Sequence, residues 1–262
     1  MADRLFAAEA GKGAETVVLL HGFGGHHDIW RYMVDVLARE YRTLAYDLPG
    51  HGRSLGIVGA GSAKSTIAAL RDDLAHRALD RVHLVGHSMG GAFAALFAIA
   101  DPFRIASLTL LAPGGFGEAI AAHTLKRYAE AVSSIELRPY FKAMRGVKAE
   151  DDDAALDRLA AVRATHGQRE ALIEIHGRIA RDGKQGAIPR EQLAGLKMPV
   201  TVAWGTGDGV LPVVQSLNLP PRFHVRIVDG AGHMLPETHP RLCADLVARN
   251  VRAAQMLATA AN

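Results

Sequence analysis

The chain has 262 residues, of which 49% are hydrophobic and 22% charged, with a formal net charge of +3. This is the composition of a globular domain large enough to bury a sizeable core, and it excludes disordered and collagen-like classes. Basic residues lie scattered beside acids, as in Arg71-Asp72-Asp73, so no stripe for nucleic acid is present, and no apolar run approaches the ~20 residues of a bilayer span.

The first strong element is Thr16-Val17-Val18-Leu19-Leu20, a short apolar run that reads as a buried strand and ends at His21-Gly22. Ile29, Met33, Val36 and Leu37 recur at helical spacing and predict an amphipathic helix over 28–40. A strand over 43–46 is stopped by Asp47-Leu48-Pro49-Gly50. Ile67, Leu70, Leu74 and Leu79 predict the next helix, followed by a strand over 82–85 and a helix over 91–99. Residues 107–111, 200–204 and 225–228 supply three more strands, and a closing helix runs over 240–257. Alternation of this kind predicts an α/β fold with a mostly parallel, doubly wound sheet. Residues 118–193 break the alternation, being helical and charged, and an insertion of that length between two late strands is expected to fold as a helical cap. The expected division is therefore a core of 1–117 and 194–262 with a cap of 118–193. Ligands of open α/β sheets bind at the strands' carboxyl ends, so the cap would roof the site. Within it, the acidic run Glu150-Asp151-Asp152-Asp153 reads as a solvated helix start and not as a metal site.

The chemistry centres on Gly86-His87-Ser88-Met89-Gly90. A serine hydroxyl is a weak nucleophile at neutral pH and needs an adjacent base and a rigid pose. Glycines two before and two after allow a sharp strand-to-helix turn, which lifts the serine above the sheet and aims a helix N-terminus at a developing oxyanion. The partners are sought in chain order, each after a later strand. Asp208 follows the strand over 200–204 in Gly205-Thr206-Gly207-Asp208-Gly209, and His233 ends Asp229-Gly230-Ala231-Gly232-His233. His233 would act as base toward Ser88, and Asp208 would orient the imidazole. Asp229 is a rival acid, read as bracing the His233 loop. The backbone N–H groups of Phe23, in His21-Gly22-Phe23-Gly24-Gly25, and of Met89 form the expected oxyanion hole.

Thirteen histidines leave alternatives. His21, His51 and His87 flank turns and are expected to bond backbone, and His26-His27 lacks a third ligand at metal spacing. Among His123, His166 and His176, at best one touches substrate. Trp30, Phe116, Tyr128 and Tyr140 are candidate pocket walls, and each could equally belong to the core. No metal or organic cofactor is required, the expected partner is a small-molecule substrate, and nucleic acid and a membrane span are not expected. The single cysteine, Cys243, makes no internal disulfide, and Met1-Ala2-Asp3-Arg4-Leu5 lacks a signal-peptide core, so the cytoplasm is the expected compartment.

His21-Gly22-Phe23-Gly24, Asp47-Leu48-Pro49-Gly50-His51-Gly52-Arg53-Ser54, Gly86-His87-Ser88-Met89-Gly90-Gly91 and Gly230-Ala231-Gly232-His233 together resemble the α/β-hydrolase superfamily over nearly the whole chain. More narrowly, the stretch 108–117 and Leu137-Arg138-Pro139 are similar to the hydrolase-like domain of acetoin dehydrogenase acetyltransferase-type proteins. Those proteins carry an N-terminal lipoyl domain, whereas about fifteen residues precede the first strong strand here, and the His-x-x-x-Asp-Gly motif of dihydrolipoyl acyltransferases is absent. The expectation is a free-standing serine hydrolase cleaving a carboxylic ester or related acyl bond. The resemblance also implies an alternative, a C–C bond hydrolase of ring-fission products. Such relatives usually carry asparagine where His87 stands, and the chemistry would need a cation such as Arg127 or Arg145. A cofactor-free perhydrolase and a non-catalytic ligand-binding protein are further readings. Relatives resembling haloalkane dehalogenases and epoxide hydrolases place aspartate at the position of Ser88, which removes those chemistries.

Overall fold

A computed structural model describes residues 4–146, 149–150 and 152–260. Seven strands form one sheet in the order β1-β3-β2-β4-β5-β6-β7. They are β1 (Ala7–Ala10), β2 (Thr16–Leu20), β3 (Arg42–Tyr46), β4 (Val82–His87), β5 (Ile105–Leu111), β6 (Val200–Gly205) and β7 (His224–Val228). Every neighbouring pair is parallel except β1 with β3. The central strands are buried on both faces, which is why β2 carries four apolar residues in a row after Thr16 instead of alternating. Successive side chains of β2 still part company: Val18 and Leu20 join one core cluster and Val17 and Leu19 the other.

The first cluster is closed by α2 (Ala63–His76), through Leu70 and Leu74, and by α3 (Met89–Ala100), through Phe93 and Phe97. The second is closed by α1 (Arg31–Leu37), through Met33 and Leu37, and by α10 (Pro240–Ala260), through Val247 and Val251. The apolar spacings that predict α1 and α2 are thus the faces that pack. Leu79 packs against the first cluster from outside the helix, because α2 ends at His76 and the chain turns at Ala78 with φ 54°.

Between β5 and β6 the chain forms α4 (Ala122–Glu130), α5 (Ser134–Arg145), α6 (Asp153–Arg163), α7 (Gln168–Ile179) and α8 (Arg190–Ala194). Their start signals are local. Ser133 and Glu136 form a reciprocal capping box on α5, and the Asp152 carboxylate accepts the Ala155 N–H to cap α6. Asp151, which belongs to the acidic run, lies outside the described residues. A short helix, α9 (Leu235–Thr238), follows β7. Among the described residues no helix is long and apolar enough to cross a membrane.

Candidate active site

Ser88 occupies the turn between β4 and α3, at the carboxyl end of a central strand. Its backbone sits at φ 52°, ψ −120°, a conformation that side-chain-bearing residues adopt only when the surroundings enforce it. The enforcement is visible. The Ser88 N–H donates to the Leu111 carbonyl at 3.0 Å, and the Ser88 carbonyl accepts from Gly114 at 2.8 Å and Ala92 at 3.1 Å. A Cβ on Gly90 would lie 2.3 Å from the Leu20 carbonyl oxygen, so the helix start packs directly on β2 only because that residue is glycine. Met89 is the first residue of α3, and its N–H therefore has no acceptor within the helix.

Two later loops meet at the same end of the sheet. Asp208, just beyond β6, receives the His233 Nδ1–H on Oδ2 at 2.8 Å, while Oδ1 accepts the N–H groups of Val210 at 2.8 Å and Leu211 at 2.9 Å. Burial opposes ionisation of Asp208, but the His233 ring and these two amides outweigh it and hold the carboxyl below its ordinary range. The His233 N–H donates to the Met144 carbonyl at 2.7 Å, which fastens the loop to the end of α5. His87 braces it from below, donating its Nε2–H to the His233 carbonyl at 3.0 Å. Burial, reinforced by the neighbouring His233, pushes His87 down to about 3, so the ring is neutral and Nδ1 carries a lone pair. Asp229 is elsewhere, accepting the Thr206 hydroxyl at 3.2 Å.

The loop after β2 passes over Ser88. A Cβ on Gly22 would come within 2.9 Å of both Ser88 Cβ and His87 Nδ1. His21 and His51 hold this loop to the next one: the His21 ring accepts the Leu48 N–H at 3.0 Å, and the His51 ring accepts the Gly24 N–H at 3.2 Å. Asp47 ties the same region together by accepting the His27 and Arg53 N–H groups. His26-His27 therefore has a structural partner. Among the described residues no group of three or more His, Cys, Asp or Glu could hold a metal ion.

Two cavities flank Ser88. An inner chamber of about 40 Å³ is lined by Ser88, His233, His87, Phe23, Tyr128 and Glu237, among others. A side channel of about 290 Å³ runs past Ser88, Met89 and Phe93 toward Ile188, with Arg178 and Gln185 on its wall. The structure thus brings Ser88, His233 and Phe23 to one chamber and places Asp208 behind the histidine, while Met89 and Phe23 border the channel.

Of the four candidate aromatics, Tyr128 lines the chamber, and Trp30 and Phe116 belong to the core. Trp30 is fully buried in the second core cluster, and Phe116 packs edge-on against Trp204 in the first. Tyr140 touches the Tyr128 ring from behind, at 6.5 Å between centroids. His176 donates its ring N–H to the Ala122 carbonyl at 2.9 Å. Neither candidate cation lines the chamber: Arg127 is 59% exposed and paired with Glu130, and buried Arg145 faces Glu237. Glu237 itself escaped sequence reasoning. Its only signal is a position four residues after His233, on the short helix α9, from which it lines the same chamber.

The model of the alpha/beta hydrolase family matches residues 17–246. The chain is 33% identical over 231 residues to the dihydrolipoyllysine-residue acetyltransferase component of the acetoin cleaving system of Cupriavidus necator. That match covers 88% of this chain and 62% of that protein, so the chain spans less than two thirds of the relative's length. It is 30% identical over 251 residues to a 2-hydroxy-6-oxononadienedioate/2-hydroxy-6-oxononatrienedioate hydrolase of Cupriavidus pinatubonensis, covering 91% of this chain and 87% of that one. Among solved structures, a serine hydrolase involved in carbazole degradation shares the fold with a TM-score of 0.82 at 24% identity, covering 95% of this chain and 94% of that one. The sheet order, the turn at Ser88 and the family match over most of the chain agree, and the chain belongs to the alpha/beta hydrolase family.

Proposed function

We propose that the protein hydrolyses a carboxylic ester by forming an acyl-enzyme on Ser88. The observation that carries this reading is the 2.8 Å contact between His233 Nδ1 and Asp208 Oδ2, with His233 and Ser88 on the wall of one chamber. Asp208 fixes the proton on Nδ1, which leaves Nε2 as the basic nitrogen. His233 takes the Ser88 Oγ proton as Oγ attacks the carbonyl carbon, and it then gives that proton to the departing alkoxide. The negative oxygen of the tetrahedral intermediate is held by the Phe23 and Met89 N–H groups, each worth on the order of 3 kcal/mol in such a position. Water, deprotonated by His233, attacks the acyl carbon, and His233 returns that proton to Ser88 Oγ as the acyl–Oγ bond breaks, releasing the acid and free Ser88. No step requires a cofactor. In this reading residues 118–193 form a cap that helps enclose the chamber, and residues 1–117 and 194–262 form the catalytic core.

Wild type should hydrolyse p-nitrophenyl butyrate, Ser88 should be labelled by a fluorophosphonate, and Ser88→Ala should lower kcat by about 10⁴–10⁶-fold. No turnover of any ester together with an unlabelled Ser88 would sink the reading. A second reading, C–C hydrolysis of a ring-fission product, is favoured by the name of the Cupriavidus pinatubonensis relative and by Arg178 on the channel wall. It predicts turnover of 2-hydroxy-6-oxononadienedioate and a raised KM in Arg178→Gln.

A further inference from the structure

The inner chamber is lined by polar groups that ester hydrolysis at Ser88 does not use. Glu237, on α9, lines the chamber, and its side chain is only 8% exposed. Its Oε2 has no hydrogen-bond partner among the described residues, and Arg145 Nη1 comes no nearer than 3.5 Å without forming a hydrogen bond. The other carboxylate on the wall differs. Asp28 Oδ2 accepts from Arg31 Nη1 at 3.1 Å and from Arg158 Nε at 2.7 Å, so two guanidinium groups answer its charge. His87, which also lines the chamber, carries at Nδ1 a second buried acceptor without a donor among the described residues, because the ring's proton is committed to the His233 carbonyl. Among the described residues no lysine or arginine lines the chamber.

A buried acceptor without a donor is costly, and a ligand that supplies the donor is favoured accordingly. A second carboxylate entering the same space would meet a like charge in a weakly screened site. At about 40 Å³ the chamber has room only for a small group. We propose that Glu237 sets the substrate class here, admitting an ester whose group on this side is uncharged and carries a hydroxyl, and rejecting one that carries a carboxylate. The proposal rests on the ester-hydrolase reading of Ser88. Burial raises the Glu237 carboxyl to about 7, so at pH 8 it is mostly ionised and the discrimination is largest.

The test measures kcat/KM at pH 8 for two matched series. Methyl propanoate, methyl 3-hydroxypropanoate and monomethyl malonate vary the acyl side; ethyl acetate, 2-hydroxyethyl acetate and carboxymethyl acetate vary the alcohol side. In the series that enters the chamber, wild type should favour the hydroxyl ester over the carboxylate ester by at least about tenfold. Glu237→Gln should bring the two within about threefold, chiefly by lowering KM for the carboxylate ester, and Glu237→Asp should keep the preference. Equal rates on the hydroxyl and carboxylate esters in wild type, or an unchanged ratio in Glu237→Gln, overturn the proposal. The wild-type ratio decides alone if Glu237→Gln does not fold. Loss of all turnover, p-nitrophenyl butyrate included, counts against the reading of Ser88 instead.

Discussion

Asp208 has both carboxylate oxygens engaged, which makes its replacement by asparagine informative. In Asp208→Asn the carbonyl oxygen can still accept from Val210 and Leu211, the two amides that hold Oδ1. The new NH₂ then faces His233 Nδ1 and turns that nitrogen into an acceptor. The ring proton moves to Nε2, and the base that Ser88 needs is gone. With Asp208 acting as proposed, kcat should fall by about 10⁴-fold while the thermal melt changes little, a contrast that kinetics and calorimetry on one preparation would read. A comparable loss of stability would make Asp208 a structural residue first. The closeness of Asp208 to His233 was legible in the sequence because each lies a few residues beyond a strand, among small residues. Glu237 was not, since its relation to Ser88 depends on a four-residue helix that has no periodicity to detect. Trp30 and Phe116 stayed open between wall and core for a related reason: an aromatic beside a glycine loop looks the same whether it faces the cavity or the sheet.

At the scale of elements, α5 links the helical insertion to the site, because the Met144 carbonyl accepts the His233 N–H at 2.7 Å and the Met234 N–H at 3.2 Å. The start of α5 is exposed, and its capping box rests on Ser133 and Glu136. Ser133→Ala should cost about 1 kcal/mol, measured by urea denaturation. If the α5 end positions the histidine loop, kcat should drop severalfold with KM nearly fixed; an unchanged kcat at that loss of stability would uncouple helix from site. The helices of the insertion were legible as a class, since their charged, helix-spaced sequence contrasts with the apolar strands on either side. Strand β1 was invisible, because Ala7-Ala8-Glu9-Ala10 carries no β-branched or aromatic residue and its pairing with β3 is decided by the sheet edge. Residues that cap and residues that roof a cavity carry different information: the first act on their own neighbours, the second on whatever lies across the fold.

For the whole molecule, Glu237 ties the chamber to the pH dependence of folding. Burial raises its carboxyl to about 7; Arg145 and Arg31 oppose the rise, and Asp152 and Asp28 add to it. In the unfolded chain a glutamate releases its proton near 4.5. Between those values the native state keeps a proton that the unfolded state has lost, so stability falls as pH rises. The contribution is complete below the unfolded value and gone above the folded one. From pH 5 to pH 8 this single group removes roughly 2–3 kcal/mol, the upper range for a site that does not rearrange. Glu237→Gln lacks the slope. Leaving Arg145 without its carboxylate gives the variant a fixed penalty, but that penalty is the same at both pH values, because guanidinium does not titrate there. The stability of Glu237→Gln relative to wild type should therefore improve by roughly 2–3 kcal/mol between pH 5 and pH 8, measured by urea denaturation at each. Contributions from Asp208 and the other titrating groups are common to both proteins and cancel in the comparison. Parallel pH curves would mean that Glu237 is ionised in the native state at pH 5, with Arg145 answering its charge fully. A converging pair would mean that the fold keeps an incompletely paired carboxyl at the chamber wall at a cost in stability, a cost that a substrate hydroxyl is placed to relieve.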